Sequence, residues 1–355
     1  MTDKHRLPGK YGTTMNKYFQ LLATAAILIM PLSVIAQQIE KNQSVLVYYM
    51  PKTEILVDVE YERIDAQTGM FYLYSKRYLG TEDVVKEDKV TYRIKSINFQ
   101  TRTIADKKHQ YSLTAGKMNV GLTLTDDGIL CGINTACKTE VKNTFDYIIN
   151  EKQVNNTYIV PLGEEQMMSG SVAKMAENTA KQIYRIRENR LNLLSGEVDK
   201  MPTDGDALKL ILDELNKQEE ALCNLFVGNK TVSTYHAYYK LDLTKEYSNS
   251  VLFRFSTHTG PVEAEDLSGS PITISTSISK VSYAKATKER KVIDNAIYYN
   301  IPGTADITIM QGEKIMAKHS LKVAQLGINV PLESAWLNKK ICINPQTGLI
   351  SQIEQ

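Results

Sequence analysis

Tyr72, Tyr74, Arg77 and Tyr78 place three aromatic rings and a long cation within seven residues, a grouping suited to stacking on a sugar or a peptide. The surrounding stretch, Met70 to Leu79 closed by Gly80, also reads as a short helix in which Phe71, Tyr74 and Tyr78 recur at helical intervals, so ordinary packing accounts for the same rings. Catalytic signatures are missing: the sequence has no GxSxG, HExxH, glycine-rich phosphate loop or dinucleotide fingerprint. Ser171 to Lys174 and Ser277 to Lys280 match SxxK, but the SDN and KTG elements that accompany such a lysine base are absent. Glu164-Glu165 and Asp126-Asp127 are adjacent carboxylates, whereas glycosidase chemistry depends on a separation across a cleft that adjacency does not supply. No catalytic residue is assigned.

Cys131, Cys137, Cys223 and Cys342 allow three fully paired connectivities. Cys131 and Cys137 are candidates for a disulfide around Gly132 and Asn134, while Cys223 lies beside an apolar helix stripe and reads as core filling. The five histidines are scattered and no CxxC occurs, so neither a metal nor a cofactor is expected.

Residues 18–35 are nearly uncharged, follow Lys17 and end in Val34-Ile35-Ala36. This pattern predicts a secretory signal peptide starting at Met15 and cleaved after Ala36, leaving Gln37 as the mature N-terminus. The apolar run is short for a membrane span, so no retained transmembrane helix is expected. Without residues 1–36 the chain has 38 basic and 39 acidic residues, and it lacks a long basic run. Nucleic acid is therefore not an expected partner. Hydrophobic residues at 43% and charged residues at 23% exclude disordered and collagen-like classes. Twenty tyrosines against one tryptophan favour half-buried sheet faces or a wet binding surface.

Two amphipathic helices must position much of this. Val172, Ala176, Ala180, Ile183 and Ile186 recur at helical spacing in the first, which Gly196 closes; Leu208, Leu215, Leu222 and Phe226 do so in the second, which Asp204 can cap. Arg190 and Glu219 both fall on the apolar stripes. Arg190 stands about five residues before the turn near 195 and Glu219 about fourteen after the turn near 205, an offset of roughly 13 Å. They are expected to miss each other and to take separate polar partners from flanking β units.

Strand signals fill the rest. Ser44–Tyr49 and Glu54–Tyr61 read as two strands separated at Pro51, Val90–Phe99 as another, and Val120–Leu124 with Ile129–Ile133 as a hairpin turning at Asp127-Gly128. Val141–Val160 reads as extended. After the helices, Val232–Leu243 and Val251–Phe255 are strands, and Ile272–Tyr283 has the composition of an exposed or edge strand. Ala296–Asn300, Ala305–Met310, Lys314–Lys318, Leu321–Val323 and Lys340–Ile343 follow as short strands punctuated by glycine.

The segments Tyr48-Tyr49-Met50-Pro51-Lys52-Thr53-Glu54, Arg77-Tyr78-Leu79-Gly80, Lys174-Met175-Ala176, Ile183-Tyr184-Arg185-Ile186-Arg187 and Asn344-Pro345-Gln346-Thr347-Gly348 resemble an exported Bacteroidetes family, domain of unknown function 4831. The resemblance covers nearly the whole mature chain and implies a Gram-negative envelope protein; it carries over no catalytic residue.

The expected fold is α+β, two β-rich units flanking a long antiparallel helical hairpin: a leader at 1–36, a mixed β unit at 37–165, the hairpin at 166–228 and a sandwich-like antiparallel unit at 229–355. The expected function is a non-catalytic binding or assembly component of the cell envelope, its partner an envelope glycan, peptide or protein. A hydrolase acting on envelope glycan or peptide is the alternative.

Overall fold

The computed structural model describes residues 45–114, 120–137, 141–150, 162–198, 204–281 and 295–354. The expected leader, with Ala36 and Gln37, and the later part of 141–160 lie outside the described residues. Strands take 48% of the structure and helices 23%, so the fold is mostly β rather than the expected α+β arrangement around a helical hairpin. Strands from both halves of the sequence share sheets, Val45–Gln67 beside Asn229–Leu241 and Leu130–Ile133 beside Lys340–Ile343.

The longest strands, β1 (Val45–Gln67) and β2 (Lys89–Thr114), pair antiparallel over nearly their whole length. Beside β1 lies β5 (Asn229–Leu241), giving a three-stranded sheet in the order β2-β1-β5. A five-stranded sheet combines β6 (Ser250–Ser256), β7 (Gly260–Val262), β8 (Ser270–Ser279), β9 (Tyr298–Gln311) and β10 (Lys314–Pro331) in the order β10-β9-β8-β6-β7. A four-stranded sheet joins β3 (Leu122–Leu124) and β4 (Leu130–Ile133) to β11 (Lys340–Ile343) and β12 (Ile350–Glu354).

Period-two alternation explains the main core. Ile55, Val57 and Val59 of β1 point to one face, fully buried, and pack with Ile272 of β8 and with Ile307 and Ile309 of β9. Each such side chain contributes roughly 1.5–3 kcal/mol by leaving water. A second core gathers Tyr48, Ile133, Ile297, Ile341 and Ile343, and the Tyr298 amide donates to the buried Tyr48 hydroxyl oxygen at 2.7 Å.

Several expected strands are longer or deeper than local signals suggested. β1 continues through Pro51 because β5 pairs only from Ile55 onward, so the missing N–H disrupts no ladder on that side. The stretch expected as an edge strand is β8, which lies between β6 and β9 with Ile272 and Ile274 buried. Thr273, Ser275, Ser277 and Ser279 alternate with them onto the opposite face. β9 likewise runs uninterrupted through Gly303, where a Cβ would meet the Leu326 and Ser279 carbonyl oxygens at 2.6 Å. That glycine permits backbone crowding rather than ending a strand.

Four helices complete the described fold: α1 (Ser75–Leu79), α2 (Glu164–Met167), α3 (Val172–Ser195) and α4 (Gly205–Val227). Single-turn 3-10 helices cover Tyr72–Tyr74 and Ser334–Trp336. α3 ends at Gly196 in the left-handed conformation, and the Asp204 carboxylate accepts from the Asp206 amide before α4. Ala176, Ala180 and Ile183 of α3 bury against Leu222 and Phe226 of α4, and Phe71 joins the cluster with its ring 5.3 Å from that of Phe226.

Candidate functional site

The three-stranded sheet has two chemically different faces. Opposite the apolar core, even-numbered positions of β1 carry carboxylates, each held by a partner on a neighbouring strand. Glu54 meets Arg102 at 2.6 Å and Lys240 at 2.9 Å; Glu60 accepts from Lys95 and Ser96 at 2.7 and 2.8 Å. Glu62 pairs with Arg93 at 2.6 Å and Asp58 with His236 at 2.8 Å. Burial pushes the Glu54 carboxyl up, but hydrogen bonds from Lys240 and Arg102 outweigh it and leave the pKa lowered. Glu60 is lowered chiefly by the hydrogen bonds from Lys95 and Ser96.

Residues 141–150 cross this charged face as a strap. The Thr103 amide donates to the Lys142 carbonyl oxygen at 2.9 Å, and Gln100 and Asp146 exchange two hydrogen bonds of 2.9 Å. Arg102 sits 4.6 Å over the buried Phe145 ring. At the far side, the Tyr238 hydroxyl accepts from the Ile148 amide, and the Asn150 side chain pairs with both backbone groups of His236.

On the inner face the core gives way to a polar mouth. The alternation that buries Ile55 and Val57 places Thr53 on the same side, and Thr101 and Thr103 follow Ile97 and Phe99 along β2. Thr53 lies directly opposite Thr103 in register. β10 supplies the facing wall with His319, Leu321 and Lys322, and Lys142 of the strap and Gln346-Thr347 complete a cleft of about 210 Å³. His319 stacks on Phe99 at 5.2 Å where core and cleft meet.

Backbone clasps hold the walls together. The Gln325 side chain accepts from the Thr53 amide at 2.9 Å and donates to the Thr53 carbonyl at 2.8 Å. Asn300, almost fully buried, donates from its side chain to the carbonyl oxygens of Ala324 and Thr347, and its amide donates to that of Gly348. A Cβ on Gly348 would stand 2.6 Å from the Asn300 Cβ and 3.3 Å from Pro51. The Pro51-Lys52-Thr53 and Gln346-Thr347-Gly348 segments therefore meet at one edge of the cleft, although nearly 300 residues separate them. No motif announced this site; the only local signals are alternate threonines on β2 and the Asn344-Pro345-Gln346-Thr347-Gly348 turn.

The residues singled out from sequence lie elsewhere. Tyr74 and Tyr78 approach to 6.4 Å and Tyr78 meets Phe226 edge-on, so both rings pack against the helical core. Arg77 lies 5.4 Å over the Tyr78 ring, and Tyr184 donates its hydroxyl to the Tyr78 carbonyl at 2.6 Å. Tyr72 shares the turn, but its ring joins no stack among the described residues.

Two pairings correct the sequence reading. Arg190 and Glu219 do meet: Arg190 Nη1 lies 2.5 Å from one carboxylate oxygen and Arg187 Nε 2.7 Å from the other. The expected offset treated both helices as starting level at the turn, whereas α4 extends past the end of α3 and absorbs it. Leu210, 71% exposed, belongs to that overhang. The disulfide joins Cys137 to Cys342 rather than Cys131 to Cys137. β4 and β11 pair Gly132 with Cys342, and a Cβ on Gly132 would lie 3.4 Å from the Cys137 sulfur. Successive strand residues face opposite ways, so Cys131 points from the other side, buried and free, and donates to the Thr123 carbonyl.

Among the described residues no helix is long and apolar enough to cross a membrane, and no group of three or more His, Cys, Asp or Glu could hold a metal ion. No curated protein and no solved structure matches the chain. A family description, domain of unknown function DUF4831, matches residues 44–351. The cleft, the strap and all three sheets except the last three residues of β12 lie within that match, and the chain belongs to the DUF4831 family.

Proposed function

We propose that this protein is a non-catalytic binding or assembly component of a Gram-negative cell envelope, with the cleft between β1, β2 and β10 as its ligand seat. The observation that carries this reading is the composition of the cleft: hydroxyls, an amide and cations, with no carboxylate among the described residues that line it. A hydrolase of glycans needs a protonated carboxyl with a raised pKa beside the scissile bond. Glu54, Asp58, Glu60 and Glu62 lie on the face of β1 opposite Thr53, and Glu54 and Glu60 are held ionised by their partners. Export is supported by the apolar N-terminal segment and by the Cys137–Cys342 disulfide, a bond that persists in oxidising compartments.

Calorimetry on a panel of envelope glycans and peptides, run beside a hydrolysis assay on the same panel, tests the proposal. Saturable binding without turnover is the expected result. Turnover of any panel member would establish the hydrolase alternative, and a panel without a single binder would overturn the binding reading.

A further inference from the structure

We infer that the cleft takes an oxyanionic group, a carboxylate, phosphate or sulfate, carried at the end of a glycan or free as a small acid. This inference rests on the cleft being the binding site and adds the chemistry of its ligand.

Charge is the first argument. Lys322 lines the cleft, exposed, and forms no ion pair with any described residue. Lys142 also lines it, and its charge is shared with the exposed Asp146 at 2.5 Å. His319 adds a ring held flat against Phe99. None of the described residues in the lining is a carboxylate, so the side chains it presents to a ligand are neutral or cationic.

Hydrogen-bond polarity is the second. The Thr53 hydroxyl oxygen accepts from the Ala324 amide at 3.2 Å, and the Thr347 hydroxyl oxygen accepts from the Leu349 amide at 3.4 Å. With a lone pair of each committed to the backbone, their O–H groups are free to donate into the cleft. Thr103, 4% exposed, and Thr101 bring further hydroxyls that no described residue engages. Converging donors next to a free cation suit an acceptor-rich group, and charge-assisted hydrogen bonds are the stronger kind.

Size is the third. A volume of about 210 Å³ equals roughly seven waters of liquid, below the ~300–1,000 Å³ typical of pockets for drug-sized ligands. The cleft therefore fits one small charged group.

Titration calorimetry of the mature chain with glucuronic acid, glucose 6-phosphate, inorganic phosphate, inorganic sulfate and neutral glucose tests the inference. At least one anionic probe is expected to bind ten-fold or more tightly than glucose, with affinity falling as salt rises. Lys322→Met should weaken that probe at least ten-fold without moving the unfolding midpoint, while Lys318→Met, on the same strand but outside the lining, should not. Thr103→Val should weaken binding too. Glucose 6-phosphate outranking inorganic phosphate would mark the terminal group of a glycan; equal affinities would mark a site for the free oxyanion, and either result supports the inference. Glucose binding as well as glucuronic acid, or Lys322→Met behaving like Lys318→Met, would overturn it. If none of these probes bind while the envelope panel does, the anionic assignment fails and the binding reading stands; if neither set binds, both fail.

Discussion

Glu219 accepts from Arg187 on one carboxylate oxygen and from Arg190 on the other, and Arg190 also donates to Asn216 at 2.8 Å. One acid serving two guanidiniums makes the three side chains unequal. Arg190→Met leaves Arg187 in place and should cost about 1 kcal/mol or less, because the pair is partly exposed. Glu219→Met leaves two cations facing each other and should cost more, roughly 2 kcal/mol. Urea unfolding of both variants measures the difference, and equal losses would contradict the shared-carboxylate arrangement. The same residue sets a pH dependence. Burial pushes Glu219 up, but the hydrogen bond from Arg187 and the charges of Arg190 and Arg187 outweigh it and lower its pKa. Glu54 and Glu60 are lowered as well. A carboxyl depressed in the folded state contributes its stability in full above the unfolded value of ~4.3 and loses it as pH falls through the lower folded value. Stability should therefore drop as the solution is acidified below about pH 4.5, and Glu219→Gln should flatten that slope in pH-dependent unfolding.

At the scale of an element, β9 shows why glycine is ambiguous to a local reading. Gly303 lies inside the strand, pressed between the backbones of Leu326 and Ser279. Gly303→Ala should destabilise by about 1–3 kcal/mol, the usual range for overpacking. Gly205, at the first turn of α4, has open space where a Cβ would stand. Gly205→Ala should stabilise by up to ~1 kcal/mol through helix propensity. Thermal unfolding of the two variants should show shifts of opposite sign. The strap at 141–150 is a second element whose character is tertiary: it has no helix or strand of its own and is held by Gln100, Arg102, Tyr238 and His236.

Across the whole molecule, the three sheets are tied by contacts between distant segments. The Cys137–Cys342 bridge closes a loop with a sequence separation of 205 and fastens β11 beside β4, beneath the second core. Replacing both cysteines by serine should cost about 2–4 kcal/mol, as expected for a long loop. Cys131→Ser should cost less, since a serine hydroxyl can still donate to Thr123. Non-reducing peptide mapping should recover Cys137 linked to Cys342; a Cys131 to Cys137 peptide would refute the pairing.

Local pattern was enough for the elements whose neighbours in space are also neighbours in sequence. The 3.6-residue stripe of Ala176, Ala180 and Ile183, the cap at Gly196 and the turn at Asp127-Gly128 were all legible, because each is decided by backbone geometry within a few residues. So were the alternating Ile55, Val57 and Val59 and the family itself. Tertiary structure alone decided that β1 continues past Pro51, that β8 is interior, that α4 overhangs α3 to bring Glu219 to Arg190, and that Cys342 rather than Cys131 reaches Cys137. The cleft belongs to the same class, since Thr53, Thr103, Lys142, Lys322 and Gln346 come together only when five separate segments are packed. Periodicity specifies which side of a strand is buried, but which strand lies against that side is set by the summed burial and hydrogen bonding of long-range pairs.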